Sequence, residues 1–158
     1  MIAIEPARFP DDLPIVQRLF REYADALGID LCFQDFDAEL AGLPGRYAPP
    51  QGRLLIAWNG SEPLGCVALR PIDASACEMK RLYVRPASRG ERLGQRLVDR
   101  LCAEARSAGY QRICLDTLPA MTEAIGLYAA NGFRPIEPYV FNPIPGALFL
   151  GRELGDPP

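Results

Sequence analysis

Residues 78–97 read EMKRLYVRPASRGERLGQRL, and this stretch determines the fold more than any other part of the chain. An apolar and aromatic run ends at Val84, Pro86 interrupts it, and a short polar turn containing Gly90 leads into an amphipathic helix. A junction of strand, loop and helix directs several backbone N–H groups, and the positive end of the helix dipole, toward one point. Such a point favours a phosphate group. The sequence therefore predicts a phosphate-bearing ligand at this junction.

The composition is typical of one soluble globular domain. The chain has 158 residues, of which 49% are hydrophobic and 23% charged, and this length is sufficient to bury a core. No apolar run approaches the roughly 20 residues of a membrane-spanning helix, and the N-terminus lacks the basic start and apolar stretch of a signal peptide. We therefore predict a single domain over residues 1–154, a frayed tail over residues 155–158, a cytoplasmic location and no membrane partner.

The chain contains five cysteines and no histidine. The cysteines are scattered without a Cys-x-x-Cys pair, which argues against a disulfide framework and, together with the missing histidine, against a zinc site. We expect free, buried thiols and no metal. The missing histidine also excludes Ser–His and Cys–His nucleophile pairs. A general base must then be a carboxylate, a tyrosine, a lysine or a chain of waters.

Charge is unevenly distributed along the chain. The net charge is −3, so nonspecific binding of nucleic acid is not expected. Residues 78–100 nevertheless carry seven basic side chains against three acidic ones, and Lys80 is the only lysine in the chain. A basic segment within an acidic protein indicates that one anionic ligand binds at one place. The alternative is that these arginines are ordinary surface cations.

The spacing of the apolar residues predicts one mixed α/β domain with elements in the order β-α-α-β-β-β-α-β-α-β-β. Its first half pairs antiparallel, and a strand–helix–strand crossover follows in the second half. Strands are predicted over residues 2–4, 53–58, 63–69, 77–84, 112–117, 133–136 and 148–154. Helices are predicted over residues 11–28, 36–41, 92–107 and 119–131. The Asn-Gly pair at residues 59–60 predicts a hairpin turn.

Two short motifs resemble the signatures of the GNAT superfamily of N-acetyltransferases. The first signature is Arg or Gln, two residues, Gly, one residue, then Gly or Ala; residues 89–94 read RGERLG, so Arg92 replaces the middle glycine. The second is Leu-Tyr followed by Gly-Phe, and it is intact in LYAANGF at residues 127–133. Both motifs occur in the family's order, after the predicted hairpin and strand. The chain is therefore identified as resembling this superfamily over nearly its whole length.

The resemblance implies a GNAT-like fold, splayed at the binding site, with acetyl-CoA as co-substrate. Backbone N–H groups from Gly90 to Gln95 would hold the pyrophosphate, and the strand around Leu82 would pair with the pantetheine arm and polarise the thioester carbonyl. Arg92 keeps its N–H and can reach a CoA phosphate, so we expect altered binding geometry rather than lost binding. Met121 replaces an asparagine common in the family, so a polar contact to the co-substrate is not expected there. The implied co-substrate residues are Leu82, Tyr83, Val84, Arg89, Gly90, Glu91, Arg92, Leu93, Gly94 and Gln95.

The resemblance also implies the catalytic groups. Tyr128 matches the family's general acid, because a phenol with a pKa near ~10 is protonated at neutral pH and can donate to a thiolate. Glu78 matches the general base found at the start of the same strand in several members, acting directly or through water. Asp116 and Tyr83 are reserve candidates. Strand alternation directs Cys77 to the face opposite Glu78, which disfavours a covalent cysteine intermediate.

The predicted activity is direct acetyl transfer from acetyl-CoA to a primary amine of a small molecule or peptide, in a ternary complex. The acceptor pocket should form from the first two helices, residues 43–52 and residues 139–146, with Arg46, Tyr47 and Tyr139 favouring an acceptor with a carboxylate. The alternative function is a non-catalytic acyl-CoA sensor or interaction module with the same fold. The partners are thus acetyl-CoA and an unidentified amine, without nucleic acid, in a monomer or homodimer.

Overall fold

The computed structural model describes residues 1–28, 30–31 and 35–155, and within them a mixed sheet is flanked by helices on both faces. The strands are β1 (Ile2–Pro6), β2 (Arg53–Asn59), β3 (Glu62–Pro71), β4 (Ala76–Val84), β5 (Arg112–Thr117), β6 (Arg134–Pro135) and β7 (Leu148–Glu153). The helices are α1 (Leu13–Leu27), α2 (Phe36–Ala41), α3 (Leu93–Ser107) and α4 (Thr122–Ala130). The predicted element order is confirmed. No helix in these residue ranges is long and apolar enough to cross a membrane.

The strand order across the sheet is β1-β2-β3-β4-β5-β7-β6. The first four strands pair antiparallel, β5 is parallel to β4, and β7 returns antiparallel to β5. The predicted α4 began too early. Leu118 accepts a hydrogen bond from the Met121 N–H at 3.0 Å, closing a turn, and the first helical hydrogen bond runs from Ile125 to Met121. Helix α4 therefore starts at Thr122 rather than at Pro119.

The sheet separates two apolar cores, because successive strand residues face opposite sides. Leu55 and Ala57 of β2 face α3 and α4, while Leu54 and Ile56 face α1 and α2. The core facing α3 contains the buried α3 residues Leu93, Leu97, Val98, Leu101, Cys102 and Ala105. The four cysteines of the described residues are buried and free, as predicted. Cys32 and the predicted tail beyond Gly155 lie outside the described residues.

Strands β4 and β5 separate after a short pairing. They pair from Ala76 opposite Arg112 to Glu78 opposite Cys114, and then diverge while β4 continues to Val84. A bulge follows at Arg81, where φ is +62° and the pairing of β4 with β3 shifts register. The sheet therefore opens into a wedge beside β4, as the resemblance implied.

Candidate active site

A cleft of about 700 Å³ lies in this wedge, between the separated ends of β4 and β5 and the N-terminus of α3. Its inner end adjoins a polar chamber of about 40 Å³, which we call the inner chamber. The residues shared by the cleft and the chamber are Tyr23, Leu27, Leu82, Leu118 and Met121. Two adjoining cavities therefore extend from the start of α3 to the point where the two strands part.

The mouth of the cleft is formed by the turn before α3. Gly90 has a φ of +107°, and Arg92 adopts a left-handed conformation with a φ of +56°. Arg92 accepts the first backbone hydrogen bond of α3, from Arg96 at 3.0 Å. The N–H groups of the first turn therefore have no partner within the helix and are suited to an anion. Gly94 packs against α4, where an added β-carbon would lie 3.4 Å from Leu127 Cδ2.

The cleft brings together nine of the ten predicted co-substrate residues. Glu91 is the exception, since it is exposed and does not line the cleft. Leu82 and Val84 lie on the part of β4 beyond its pairing with β5. The Val84 carbonyl accepts a hydrogen bond from Arg89 Nε at 3.2 Å. An edge strand of this kind can pair with an extended ligand through its main chain.

Four of the seven basic residues of the segment 78–100 fall into two groups. Arg85 forms an ion pair with Glu22 of α1 at 2.7 Å, and Arg81 forms one with Glu39 of α2 at 2.8 Å. Carboxylates of the protein therefore neutralise these two guanidinium groups. Arg89 and Arg92, by contrast, line the mouth of the cleft. Positive charge for an anionic ligand is thus concentrated beside the N-terminus of α3.

Tyr128 lies at the inner chamber and is 6% exposed. Its ring packs against Phe133, with ring centroids 5.7 Å apart. Burial raises the pKa of the Tyr128 phenol above its ordinary value. The phenol is therefore protonated at neutral pH and carries a proton into the chamber.

Glu78 is buried behind the chamber rather than on its wall. Its carboxylate forms an ion pair with Arg70 Nε at 3.0 Å and accepts a hydrogen bond from the Tyr139 hydroxyl at 2.8 Å. Lys80 Nζ is 3.9 Å from its second oxygen. Glu78 is absent from the residues that line the cleft or the inner chamber. The predicted base and the predicted acid are therefore not brought together on one wall.

Asp116 and Lys80 do line the inner chamber. Their charged atoms are 3.8 Å apart, and Asn142 donates a hydrogen bond to the second Asp116 oxygen at 3.0 Å. Glu78 and Cys114 are the last residues that pair β4 with β5. Lys80 lies two positions beyond Glu78, and Asp116 lies two positions beyond Cys114, so the ion pair is located where the two strands separate. Sequence reasoning named Asp116 only in reserve and missed Lys80 and Asn142. The sequence did contain a signal for Lys80, because it is the only lysine of the chain and lies two residues after Glu78.

Other candidates lie elsewhere. Tyr83, the second reserve base, donates a hydrogen bond to Glu22 at 3.2 Å and does not line the inner chamber. Cys77 is fully buried in the core beneath α3, and burial raises the pKa of its thiol. Arg46 is exposed, and Tyr47 is 2% exposed in the opposite core, so neither lines the chamber. Of the three residues expected to bind an acceptor carboxylate, Tyr139 alone approaches the site, through Glu78.

Comparison with known proteins agrees with this geometry. The model of the acetyltransferase (GNAT) family matches residues 15–133. An N-acetyltransferase of Schizosaccharomyces pombe is 42% identical, over 97% of this chain and 95% of its own. An acetyltransferase structure from Streptococcus agalactiae has a TM-score of 0.79 at 22% identity, covering 96% of this chain and 98% of that one. The YncA structure from Salmonella typhimurium, with its cofactor acetyl-CoA, has a TM-score of 0.72 at 20% identity, covering 98% and 94%.

The splayed sheet, the cleft and these matches define the class of the protein: the chain belongs to the acetyltransferase (GNAT) family. Its relatives are N-acetyltransferases, and the protein is an acyltransferase.

Proposed function

We propose that the protein transfers an acetyl group from acetyl-CoA to a primary amine of a small molecule or peptide, directly and in a ternary complex. One observation carries this proposal. Two adjoining cavities extend from the N-terminus of α3, along the free edge of β4, to a chamber lined by Tyr128 and Asp116. These three parts of the site correspond to three parts of acetyl-CoA, namely the phosphates, the extended pantetheine arm and the thioester.

The residues present fit acetyl-CoA. The first-turn N–H groups of α3, with Arg89 and Arg92 beside them, suit the phosphates, which the helix dipole also favours. The free edge of β4 at Leu82 and Val84 suits the amide-bearing pantetheine arm. The cleft volume of about 700 Å³ accommodates a ligand of this length. The acetyl end of a ligand bound in this direction reaches the inner chamber.

The chemistry requires a neutral amine, a polarised carbonyl and a proton for the departing thiolate. In the proposed mechanism the amine attacks the thioester carbon, the carbon–sulfur bond breaks, and Tyr128 protonates the sulfur. A main-chain N–H near Leu82 stabilises the charge that develops on the carbonyl oxygen. The proton of the amine passes to Asp116, the carboxylate that lines the chamber.

The acceptor binds at the inner chamber, which is lined by Tyr23 and Leu27 of α1, Leu31 and Asn142. Tyr23, Leu27 and Asn142 belong to the helical and loop regions that were expected to form the acceptor pocket. The chamber is lined by these residues together with β4 and Tyr128, which supports a ternary complex because the amine and the thioester would meet in one place.

Two measurements test the function. Isothermal titration calorimetry with acetyl-CoA should show one site per chain, and release of free CoA thiol should then increase with at least one member of a panel of primary amines. Absence of acetyl-CoA binding would overturn the proposal. Binding without acetylated product from amines, amino acids or peptides would favour the sensor function instead.

A further inference from the structure

The protein itself supplies a primary amine at the inner chamber, on the side chain of Lys80. Lys80 lines the chamber, its side chain is 5% exposed, and its Nζ reaches across from β4 to within 3.8 Å of Asp116 on β5. Lys80 lies two residues beyond Glu78, the last residue of β4 that pairs with β5, where the wedge begins. A thioester delivered along the cleft therefore ends beside Lys80.

We infer that Lys80 is itself an acetyl acceptor, so that the protein acetylates one of its own side chains from bound acetyl-CoA. The inference rests on the proposed function, since the same cleft and the same general acid are used. It adds a covalent modification site within the acceptor side of the chamber.

The surroundings of Lys80 suit an amine nucleophile. Burial lowers the pKa of Lys80, which favours the neutral amine, while Glu78 and Asp116 act in the opposite direction. Both carboxylates are held by other groups, Glu78 by Arg70 and Asp116 by Asn142. Nζ lies between them, at 3.9 Å and 3.8 Å, so a carboxylate is close enough to take its proton.

The step balances without any further reactant. The neutral Lys80 Nζ attacks the thioester carbon, a carbon–nitrogen bond forms, and the carbon–sulfur bond breaks with its electron pair remaining on sulfur. Tyr128 protonates the sulfur, and Asp116 takes the proton that Nζ loses. Return of the proton from Asp116 to the Tyr128 phenolate, through water, restores both groups and leaves a net change of one acetyl group moved to Lys80 and one proton moved from nitrogen to sulfur.

Modification would change the site. An acetylated Lys80 is uncharged, so the cation between Glu78 and Asp116 is lost, and the added group occupies the small inner chamber. We therefore expect turnover with an external amine to fall in proportion to the acetylated fraction.

The chain offers an internal control for uncatalysed acetylation. A purified chain of this sequence carries two primary amines, the Lys80 side chain and the amino group of Met1. Met1 is fully exposed, whereas Lys80 is 6% exposed. Spontaneous reaction with acetyl-CoA in solution would modify Met1 first. Acetylation guided by the cleft would modify Lys80 first, because binding places the thioester beside it.

The test is incubation of the purified full chain with acetyl-CoA, followed by peptide mass spectrometry. We expect one acetyl group on Lys80 ahead of Met1, and a rate reduced about 100-fold or more in Tyr128→Phe. Lys80→Arg keeps the cation without the nucleophile, and its folding is checked by thermal denaturation; it should gain acetyl only at Met1.

Three results would overturn the inference. The first result is acetylation of Met1 with Lys80 unmodified, in a protein that binds acetyl-CoA by calorimetry. It would leave the proposed function intact, and Lys80 would then serve only as a counterion to the carboxylates. Equal rates of Lys80 acetylation in the parent chain and in Tyr128→Phe would show uncatalysed chemistry. No binding of acetyl-CoA would overturn the proposed function as well.

Discussion

At Arg92 the chain takes a left-handed backbone conformation, with a φ of +56°, where the resembled signature has glycine. A side chain with a β-carbon is strained there by about 1 kcal/mol. We predict that Arg92→Gly raises the free energy of unfolding by up to about 1 kcal/mol, measured by urea denaturation. The same change removes a cation from the mouth of the cleft, so acetyl-CoA affinity should fall about tenfold, which corresponds to about 1.4 kcal/mol.

The matched control for this change is Gly90→Ala. Gly90 has a φ of +107° and open space around it, so alanine meets no clash but must adopt the strained backbone. We expect lower stability in this variant. A less stable Arg92→Gly variant, or one with unchanged acetyl-CoA affinity, would contradict the account of this turn.

The two carboxylates of the site are distinguished by paired amide substitutions. Asp116 lines the inner chamber, so Asp116→Asn should lower kcat about 100-fold; it weakens one ion pair, to Lys80, and should cost less stability than Glu78→Gln. Glu78 is itself buried and pairs with both Arg70 and Lys80, so Glu78→Gln weakens two ion pairs and should lower the free energy of unfolding by about 3 kcal/mol. Steady-state kinetics and urea denaturation measure the two effects. A larger loss of kcat in Glu78→Gln would assign the proton transfer to Glu78 instead.

At the scale of elements, the ion pair of Arg81 with Glu39 joins the bulge of β4 to α2. The Arg81 side chain is 1% exposed and also stacks on Tyr23 and Phe36, with its guanidinium carbon 5.6 Å and 5.1 Å from the ring centroids. We predict that Glu39→Ala costs about 3 kcal/mol of stability, because it breaks a buried pair. Because Arg81 lines the inner chamber, the KM for the amine should rise more than the Kd for acetyl-CoA.

The control for Glu39→Ala is Asp37→Ala. Asp37 is an exposed acid on the same helix, so its removal should change stability by less than about 0.5 kcal/mol. Equal effects of the two substitutions on the KM for the amine would rule out a specific role for the Arg81 pair.

Sequence patterns predicted the elements because their signals are local. The turn at residues 89–94 and the alternation around Glu78 are contained in short stretches of chain, so the sequence alone was sufficient to predict them. The bulge at Arg81 was not, because it depends on the register against β3 and on Glu39, which lies 42 residues away. The burial of Glu78 by Tyr139 likewise depends on a contact across 61 residues. Long-range pairing, rather than composition, decides which carboxylate lines the chamber.

At the scale of the whole molecule, one continuous sheet connects both apolar cores. The first four strands pair in series, and β2 and β3 contribute residues to both cores. We predict a single cooperative unfolding transition by calorimetry. Acetyl-CoA at about 100 times its Kd should add about 2.7 kcal/mol of stability and raise Tm by about 5–10 °C. Acetyl-pantetheine, which lacks the nucleotide end, should give a smaller shift at the same concentration.

Two resolved transitions would contradict a single cooperative unit. An equal shift with acetyl-pantetheine would show that the mouth of the cleft, with Arg89, Arg92 and the start of α3, contributes no binding free energy.

The central claim is that Tyr128 protonates the departing CoA thiolate in the inner chamber. Tyr128→Phe keeps the ring that packs against Phe133 and removes the proton donor. The decisive measurement is CoA thiol release by Tyr128→Phe at saturating acetyl-CoA and amine, with the acetyl-CoA Kd measured in parallel. We predict a kcat lowered about 100-fold or more with an unchanged Kd. A variant with the turnover of the parent chain would contradict the claim.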